Sequence, residues 1–240
     1  MKSWRNSRKT GAVSGAWLAF ATAVLCASLA AAHLASEDLQ TILVRMDEAS
    51  LTFKAMTAEV QTTTFTKVID DTTVQNGKLT MQRLKGKGTR AILDFSSEKD
   101  SRVIYLFNNT VRFYYPKLKL YQDIDVGKSS DVLNQFLLLG FGSSGKELMD
   151  NYDITTAGTE NIAGHATTKL SLAPKSAHAK ETLIKVDVWI PQGAAYPIQQ
   201  QFFKPSGNYV TVLYSNIKLN PPIKGTLEYK LPSGTKKQGS

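Results

Sequence analysis

The sequence predicts a mainly β fold of the α+β kind, built on one large antiparallel sheet of about ten strands with few helices. Three observations carry that expectation. From Met56 onward the apolar positions recur at every second residue, the period of a half-buried strand. The alternating segments are joined by short turns such as Asn108-Asn109 and Pro205-Ser206-Gly207-Asn208. Parallel neighbours would each need a crossover of a dozen residues, so the strands run as an antiparallel meander. No repeat or Pro/Gly linker divides the series, which argues a single domain over residues 33–232.

The chain opens on Lys2, Arg5, Arg8 and Lys9, followed by an uncharged stretch rich in Ala, Leu and Val that runs into Ala30-Ala31-Ala32. A basic n-region, an apolar h-region and a small-x-small site read as a signal peptide over residues 1–32, cleaved before His33. It sends the rest of the chain to the periplasm, and without an Arg-Arg pair the general secretory route is expected. The alternative for the same segment is an uncleaved inner-membrane anchor, since the run reaches the lower limit for a span. Cys26 is a candidate lipidation site, although Leu25 is a poor fit to the small residue such sites carry before their Cys.

An amphipathic helix is expected over 37–54, with acids in its first turn and Leu39, Ile42, Leu43, Met46 and Leu51 on one side. Met56, Ala58, Val60, Thr62, Thr64, Thr66 and Val68 then form the inner face of a long strand, and Asn76-Gly77 reads as a turn before Leu79 and Met81. Further strands are expected at 90–96, 102–107, 111–115 and 118–124. Ser129-Ser130-Asp131 offers an N-cap to an apolar helix over 130–141, closed by Gly140 and Gly142, and a short helix follows at 145–151. Strands resume at 152–158, 166–173, 183–190, 197–204, 209–219 and 226–231, before a polar tail over 233–240 that reads as disordered. In 183–190, Ile184, Val186, Val188 and Ile190 face one way and Lys185, Asp187 and Trp189 the other.

Composition removes several function classes. The full chain has 29 Lys+Arg against 20 Asp+Glu, a net charge of +9, but beyond residue 32 the excess falls to +5, which weakens a nucleic-acid reading. Cys26 is the single cysteine, so the chain beyond the leader has no thiol for disulfides, cysteine-bound zinc or Fe–S clusters. The histidines are His33, His165 and His178, and a Ser-His-Asp site would have to rest on one of the last two. Gly140-Phe141-Gly142-Ser143-Ser144-Gly145 matches the dinucleotide fingerprint literally, yet it follows a helix inside an antiparallel meander rather than a strand in a βαβ unit. Neither enzyme chemistry nor a metal or cofactor is expected. The loop Lys85-Gly86-Lys87-Gly88-Thr89-Arg90 reads as a solvated turn, or as a rim attracting phosphate headgroups or an acidic partner.

The segment 130–141 is apolar around most of its circumference, and so few helices cannot cover about ten strands. It is therefore either a core helix or a lid over an unfilled apolar interior where a ligand binds. Alternation puts Leu79, Met81, Phe95, Tyr105 and Tyr115 on the sheet's lining and Leu133, Phe136 and Leu137 on the lid.

The order of elements and motifs over 37–234 resembles the LolA-like periplasmic lipoprotein carriers, the fold type of LolA, LolB and LppX. The motifs are Trp189-Ile190-Pro191-Gln192-Gly193, Tyr196-Pro197, Tyr214-Ser215-Asn216-Ile217-Lys218-Leu219-Asn220 and Leu227-Glu228-Tyr229-Lys230-Leu231-Pro232-Ser233-Gly234. The resemblance implies an incomplete antiparallel β-barrel whose concave apolar face, closed by helices, holds acyl chains. It implies a monomeric, non-enzymatic carrier of acylated lipoprotein or lipid, served by an inner-membrane release complex and an outer-membrane acceptor. Arg83 matches the family arginine that holds the lid closed, with Leu84 where the family has proline. A lipid-sensing module of the same fold acting on a membrane protein is the competing binding hypothesis. A lipid hydrolase is the competing enzyme, disfavoured by the scarcity of histidine.

Overall fold

The computed structural model describes residues 36–86, 88–96, 100–125 and 139–239. Helix α1 (Leu39–Thr52) starts where the Asp38 carboxylate accepts the Thr41 N–H, satisfying one of the helix's free first-turn donors. It buries Ile42, Leu43 and Met46, and the chain leaves it in extended conformation at Phe53. Glu37, just before the helix, is clamped by both terminal nitrogens of Arg45, whose Nε also donates to the Ala194 carbonyl at 3.1 Å. This guanidinium holds the Glu37 carboxyl below its ordinary value, and the carboxylate raises Arg45 in turn.

The strands are β1 (Ala55–Thr66), β2 (Asp71–Leu84), β3 (Gly88–Asp94), β4 (Val103–Phe107), β5 (Thr110–Tyr115) and β6 (Leu120–Asp125), then β7 (Tyr152–Ile162), β8 (His165–Pro174), β9 (Lys185–Pro191), β10 (Gln199–Phe203), β11 (Tyr209–Leu219) and β12 (Lys236–Lys237). Between them lie helices α2 (Gly145–Asn151) and α3 (Ala177–Thr182). All twelve strands join one sheet in the order β12-β6-β5-β4-β3-β2-β1-β11-β10-β9-β8-β7. β1 to β6 and β7 to β11 are two meanders, joined because β1 pairs antiparallel with β11. Among the described residues the sheet does not close, so it is an incomplete barrel; β12 runs parallel along part of β6. Mainly β architecture with a helix ahead of the sheet is thus as the sequence implies.

Two apolar clusters sit on the same face of the sheet, called here the inner face. In one, Ile42 and Met46 of α1 pack with Leu148 of α2 and with Leu170, Leu172, Val186, Val188 and Ile190 of β8 and β9. The other spreads over β1 to β5 under Phe53 and Phe141. Burying each such side chain is worth about 1.5–3 kcal/mol.

Several expectations are corrected. Asn76-Gly77 is not a turn but lies inside β2, opposite Gln61 and Val60. The reversal comes earlier, in a 3₁₀ turn over Lys67–Ile69 with Asp70 left-handed at φ 48°. Gly77 is needed for close approach: a Cβ there would stand 2.6 Å from Phe95 Cδ1 and 2.7 Å from the Asp94 carbonyl. Residues 226–231 form no strand, and the tail expected to be disordered carries β12. Helix α3, capped by Ser176 Oγ on the Ala179 N–H, went unread because six residues carry too little periodicity. Helix 130–141 falls largely outside the described residues, and its last part, 139–141, is a turn. Within β9, Val186, Val188 and Ile190 face the core as expected; Ile184 is exposed, and Asp187 and Trp189 are buried on the opposite face.

Candidate functional site

Strand registers align the inner face of β1 to β5 into rows. Met56, Met81, Ala91, Leu106 and Val111 are successive cross-strand partners, and Ala58, Leu79, Leu93, Ile104 and Phe113 form the next row. Phe95 lies over Gly77 beside them. Met56, Met81, Ala91 and Phe95 are fully buried, whereas Leu93, Ile104 and Phe113 are only half-buried. The surface thus grades from a packed base at β1–β2 to a partly open apolar rim at β4–β5. Met56 and Met81 at the base are flexible and polarisable, a lining that re-packs around irregular apolar shapes.

Three aromatic groups cover the base. Phe53 ends α1, Phe141 follows Gly140, and Tyr196 stacks on Phe141 with ring centres 6.2 Å apart. Phe141 also meets Tyr214 of β11 edge-on at 4.9 Å. The Tyr214 hydroxyl donates to Gln200 Oε1 at 2.6 Å, and Gln200 Nε2 donates to the Leu139 carbonyl at 2.6 Å. This chain of bonds satisfies polar groups between the two apolar clusters, and burial pushes the Tyr214 phenol far above its ordinary pKa. Tyr152, buried in the other cluster, is pushed up to about 12.

Arg83 joins three elements. Its Nη1 donates to the Ser50 carbonyl of α1 at 3.0 Å and its Nη2 to the Gly142 carbonyl, while its guanidinium lies 5.4 Å from the centre of the Phe53 ring. The glycines of the literal dinucleotide motif serve close packing: a Cβ on Gly140 would meet Pro197, one on Gly142 would meet Phe53, and one on Gly145 would meet the Leu43 carbonyl. No phosphate cradle is formed by that arrangement.

Of the lining residues expected from sequence, Leu79, Met81 and Phe95 come together on the inner face, and Tyr115 follows Phe113 there by alternation. Tyr105 does not. It pairs with Arg112 and Ile92 on the outer face, stacks on Phe107 at 4.6 Å, and donates its hydroxyl to the Leu227 carbonyl at 3.1 Å. Burial is the main cause that raises its pKa. The physical reason is a strap over 220–238 that covers this face: Leu227 N–H donates to Gln82, Gln82 donates to the Gly225 carbonyl, and Tyr229 packs against Tyr114. Arg90 is committed to the strap as well, bonding Leu227 and facing Glu228 at 3.6 Å, and so is not a free rim cation. Leu133, Phe136 and Leu137 lie outside the described residues.

Phe53, Gln200, Leu93 and Ile104 lie on or beside this surface without having been named as lining, and Tyr196 and Tyr214, quoted only for the motif order, join them with Phe113. Leu93 and Phe113 were readable from alternation; Ile104 was masked by the equally apolar Val103, Tyr105 and Phe107 beside it. Among the described residues no group of three or more His, Cys, Asp and Glu is placed to hold a metal ion, and no helix is long and apolar enough to cross a membrane.

No protein-family model matches the chain, and no curated protein sequence matches it. Among solved structures, an uncharacterized conserved protein from Thermus thermophilus is similar at 11% identity and TM-score 0.49, over 84% of this chain and 98% of that one. The lipoprotein LppX from Mycobacterium tuberculosis is similar at 15% identity and TM-score 0.45, over 77% and 98% of the two chains. LprF from Mycobacterium bovis is similar at 14% identity and TM-score 0.43, over 83% and 99%. These likenesses concern the course of the backbone.

Proposed function

We propose that this protein is a non-enzymatic periplasmic carrier that holds the acyl chains of lipoproteins or other lipids against the inner face of β1 to β5 and ferries them from the inner to the outer membrane. The observation that carries this reading is the graded apolar surface: a base of Met56, Met81 and Phe95 opening onto half-buried Leu93, Ile104 and Phe113 on a sheet that does not close. The motif order that resembles the LolA-like carriers supports it, as does the leader-like segment 1–32.

Exposing an acyl chain of roughly fifteen methylenes to water costs on the order of 12 kcal/mol at about 0.8 kcal/mol each. A carrier must offset most of that while still releasing its cargo, which favours an adaptable lining over rigid packing. Leu79, Met81, Phe95 and Tyr115 line the proposed site from the sheet, and the sequence pattern of 130–141 offers Leu133, Phe136 and Leu137 as the proposed cover. Arg83, through Gly142 and Ser50, positions the chain that follows this cover. Donor and acceptor at the two membranes are a release complex and a receptor, by the same resemblance.

Native mass spectrometry of the purified protein tests the reading. Carriage predicts co-purifying lipid or acylated peptide, lost in Phe136→Asp while the circular dichroism of the sheet is kept. A protein that stays empty when offered lipid sinks the proposal.

A further inference from the structure

One end of the sheet has a composition that the carried cargo does not explain. Lys185, Phe203, Tyr209, Phe65 and Thr72 are successive cross-strand partners and form a single row over β9, β10, β11, β1 and β2. Phe65 stacks on Tyr209 at 4.9 Å, Phe203 lies 6.1 Å from Tyr209, and the Lys185 ammonium sits 4.5 Å from the centre of the Phe203 ring. All three rings are half-buried on the outer face. Beyond this row lies the β1–β2 turn, in which Val68 is 89% and Ile69 67% exposed. Asn208 of the β10–β11 turn accepts the Lys67 N–H at 3.0 Å, so the two turns are tied into one projection. Lys67 and Lys204 flank the tip and Ile184 stands exposed at the same end, beside Lys185.

We propose that this projection docks the protein on the surface of a lipid bilayer, with Val68 and Ile69 entering the headgroup region and the Phe65–Tyr209–Phe203 row resting at the interface. Val68 lies three residues beyond Phe65, two extended steps of about 3.3 Å and one 3₁₀ step of about 2 Å, so at most about 9 Å of chain separates them. That matches the depth of about 5–10 Å to which interfacial segments bury their apolar parts. A tyrosine and lysines behind an aliphatic tip are the residue types that sit at the water boundary, their rings and stems in the apolar layer and their polar ends outside. Asp70 and Asp71 balance the flanking lysines, so binding follows apolar insertion and not lipid charge. Docking goes beyond the carrier reading and does not depend on what fills the inner face.

The experiment uses the full chain with Cys26→Ser and one introduced cysteine bearing an environment-sensitive fluorophore, either Ile69→Cys or, at the opposite end of the sheet, Asn109→Cys. Vesicles are phosphatidylcholine alone, or phosphatidylethanolamine with phosphatidylglycerol, each with and without a nitroxide quencher in the bilayer. The label at 69 is expected to shift to the blue and be quenched in both lipids and in high salt, and the label at 109 to stay unchanged. Val68→Asp should lower the partition reported at 69 by at least about tenfold, the cost of withdrawing one aliphatic side chain. Equal quenching at both positions, no response at 69, or a response that tracks protein concentration in place of lipid would each overturn the proposal. Lipid retained by Val68→Asp in native mass spectrometry separates a failure of docking from a failure of carriage.

Discussion

Replacing Arg83 by methionine keeps an apolar stem over the Phe53 ring and removes the guanidinium that joins α1 to the chain at Gly142. Two charge-assisted hydrogen bonds are lost, to the Ser50 and Gly142 carbonyls, together with the contact 5.4 Å above Phe53. Hydrogen bonds to charged groups contribute about 1.5–3 kcal/mol each and a partly exposed cation–π contact about 0.5–1 kcal/mol. Arg83 is part-buried and water can replace it at the freed carbonyls, so the net loss is about 2–4 kcal/mol. With a urea dependence of about 2–3 kcal/mol per molar, the unfolding midpoint followed by far-ultraviolet circular dichroism should fall by about 1 M. Arg83→Lys keeps a charge but cannot span both carbonyls in one plane, and should recover less than half of the loss. A methionine variant with the midpoint of the parent, or a lysine variant equal to arginine, would refute the bridging role.

Further expectations follow from other parts of the fold. Tyr105→Phe removes a hydroxyl bonded to the Leu227 carbonyl on the outer face, and should cost about 1 kcal/mol in urea unfolding while leaving lipid retention in native mass spectrometry unchanged. Gly77→Val drives a side chain into Phe95 and the Asp94 carbonyl, and should lower stability by about 1–3 kcal/mol; a neutral result would mean that the packing at Gly77 yields. The Glu37 carboxyl is held below its ordinary value by Arg45, and the Asp123 carboxyl likewise by Arg112. Depressed native pKa values bind fewer protons folded than unfolded, so their contribution is present at neutral pH and is lost as pH falls below the ordinary values of 4.5 and 3.8 toward the native ones. Melting temperature should fall through that acid window, and less steeply in the Glu37→Gln, Asp123→Asn double variant.

Local pattern made much of the fold readable, and long-range contacts explain what was not. β1 was plain because Met56, Ala58 and Val60 alternate with Thr57, Glu59 and Gln61, so one face alone could be buried. α1 was plain because Leu39, Ile42, Leu43 and Met46 recur at helical spacing, although its start was read two residues early: Glu37 and Asp38 precede the helix, and Asp38 caps it. β4 was ambiguous because Ile104 and Leu106 alternate with Val103, Tyr105 and Phe107, and both faces are apolar. Which face is inner was settled by the strap, whose Leu227 stands 122 positions from Tyr105 and 137 from Arg90. Asn76-Gly77 carried a real hairpin signal, overridden by the need to seat Phe95. Gln200 gave no local sign of its role, since its partners Leu139 and Tyr214 come from other elements. The apolar lining was therefore legible in kind, while its membership depended on tertiary cover.

The central claim is that acyl chains rest on the inner face of β1 to β5, and photolabelling tests it directly. A fatty acid bearing a diazirine in its tail is loaded into the protein, irradiated, and its adducts are mapped to residues by peptide mass spectrometry. Adducts on Leu93, Ile104 and Phe113, competed away by unlabelled lipid, are the result expected. Adducts confined to Tyr105 and Phe107 on the opposite face, or labelling that excess lipid does not reduce, would contradict it.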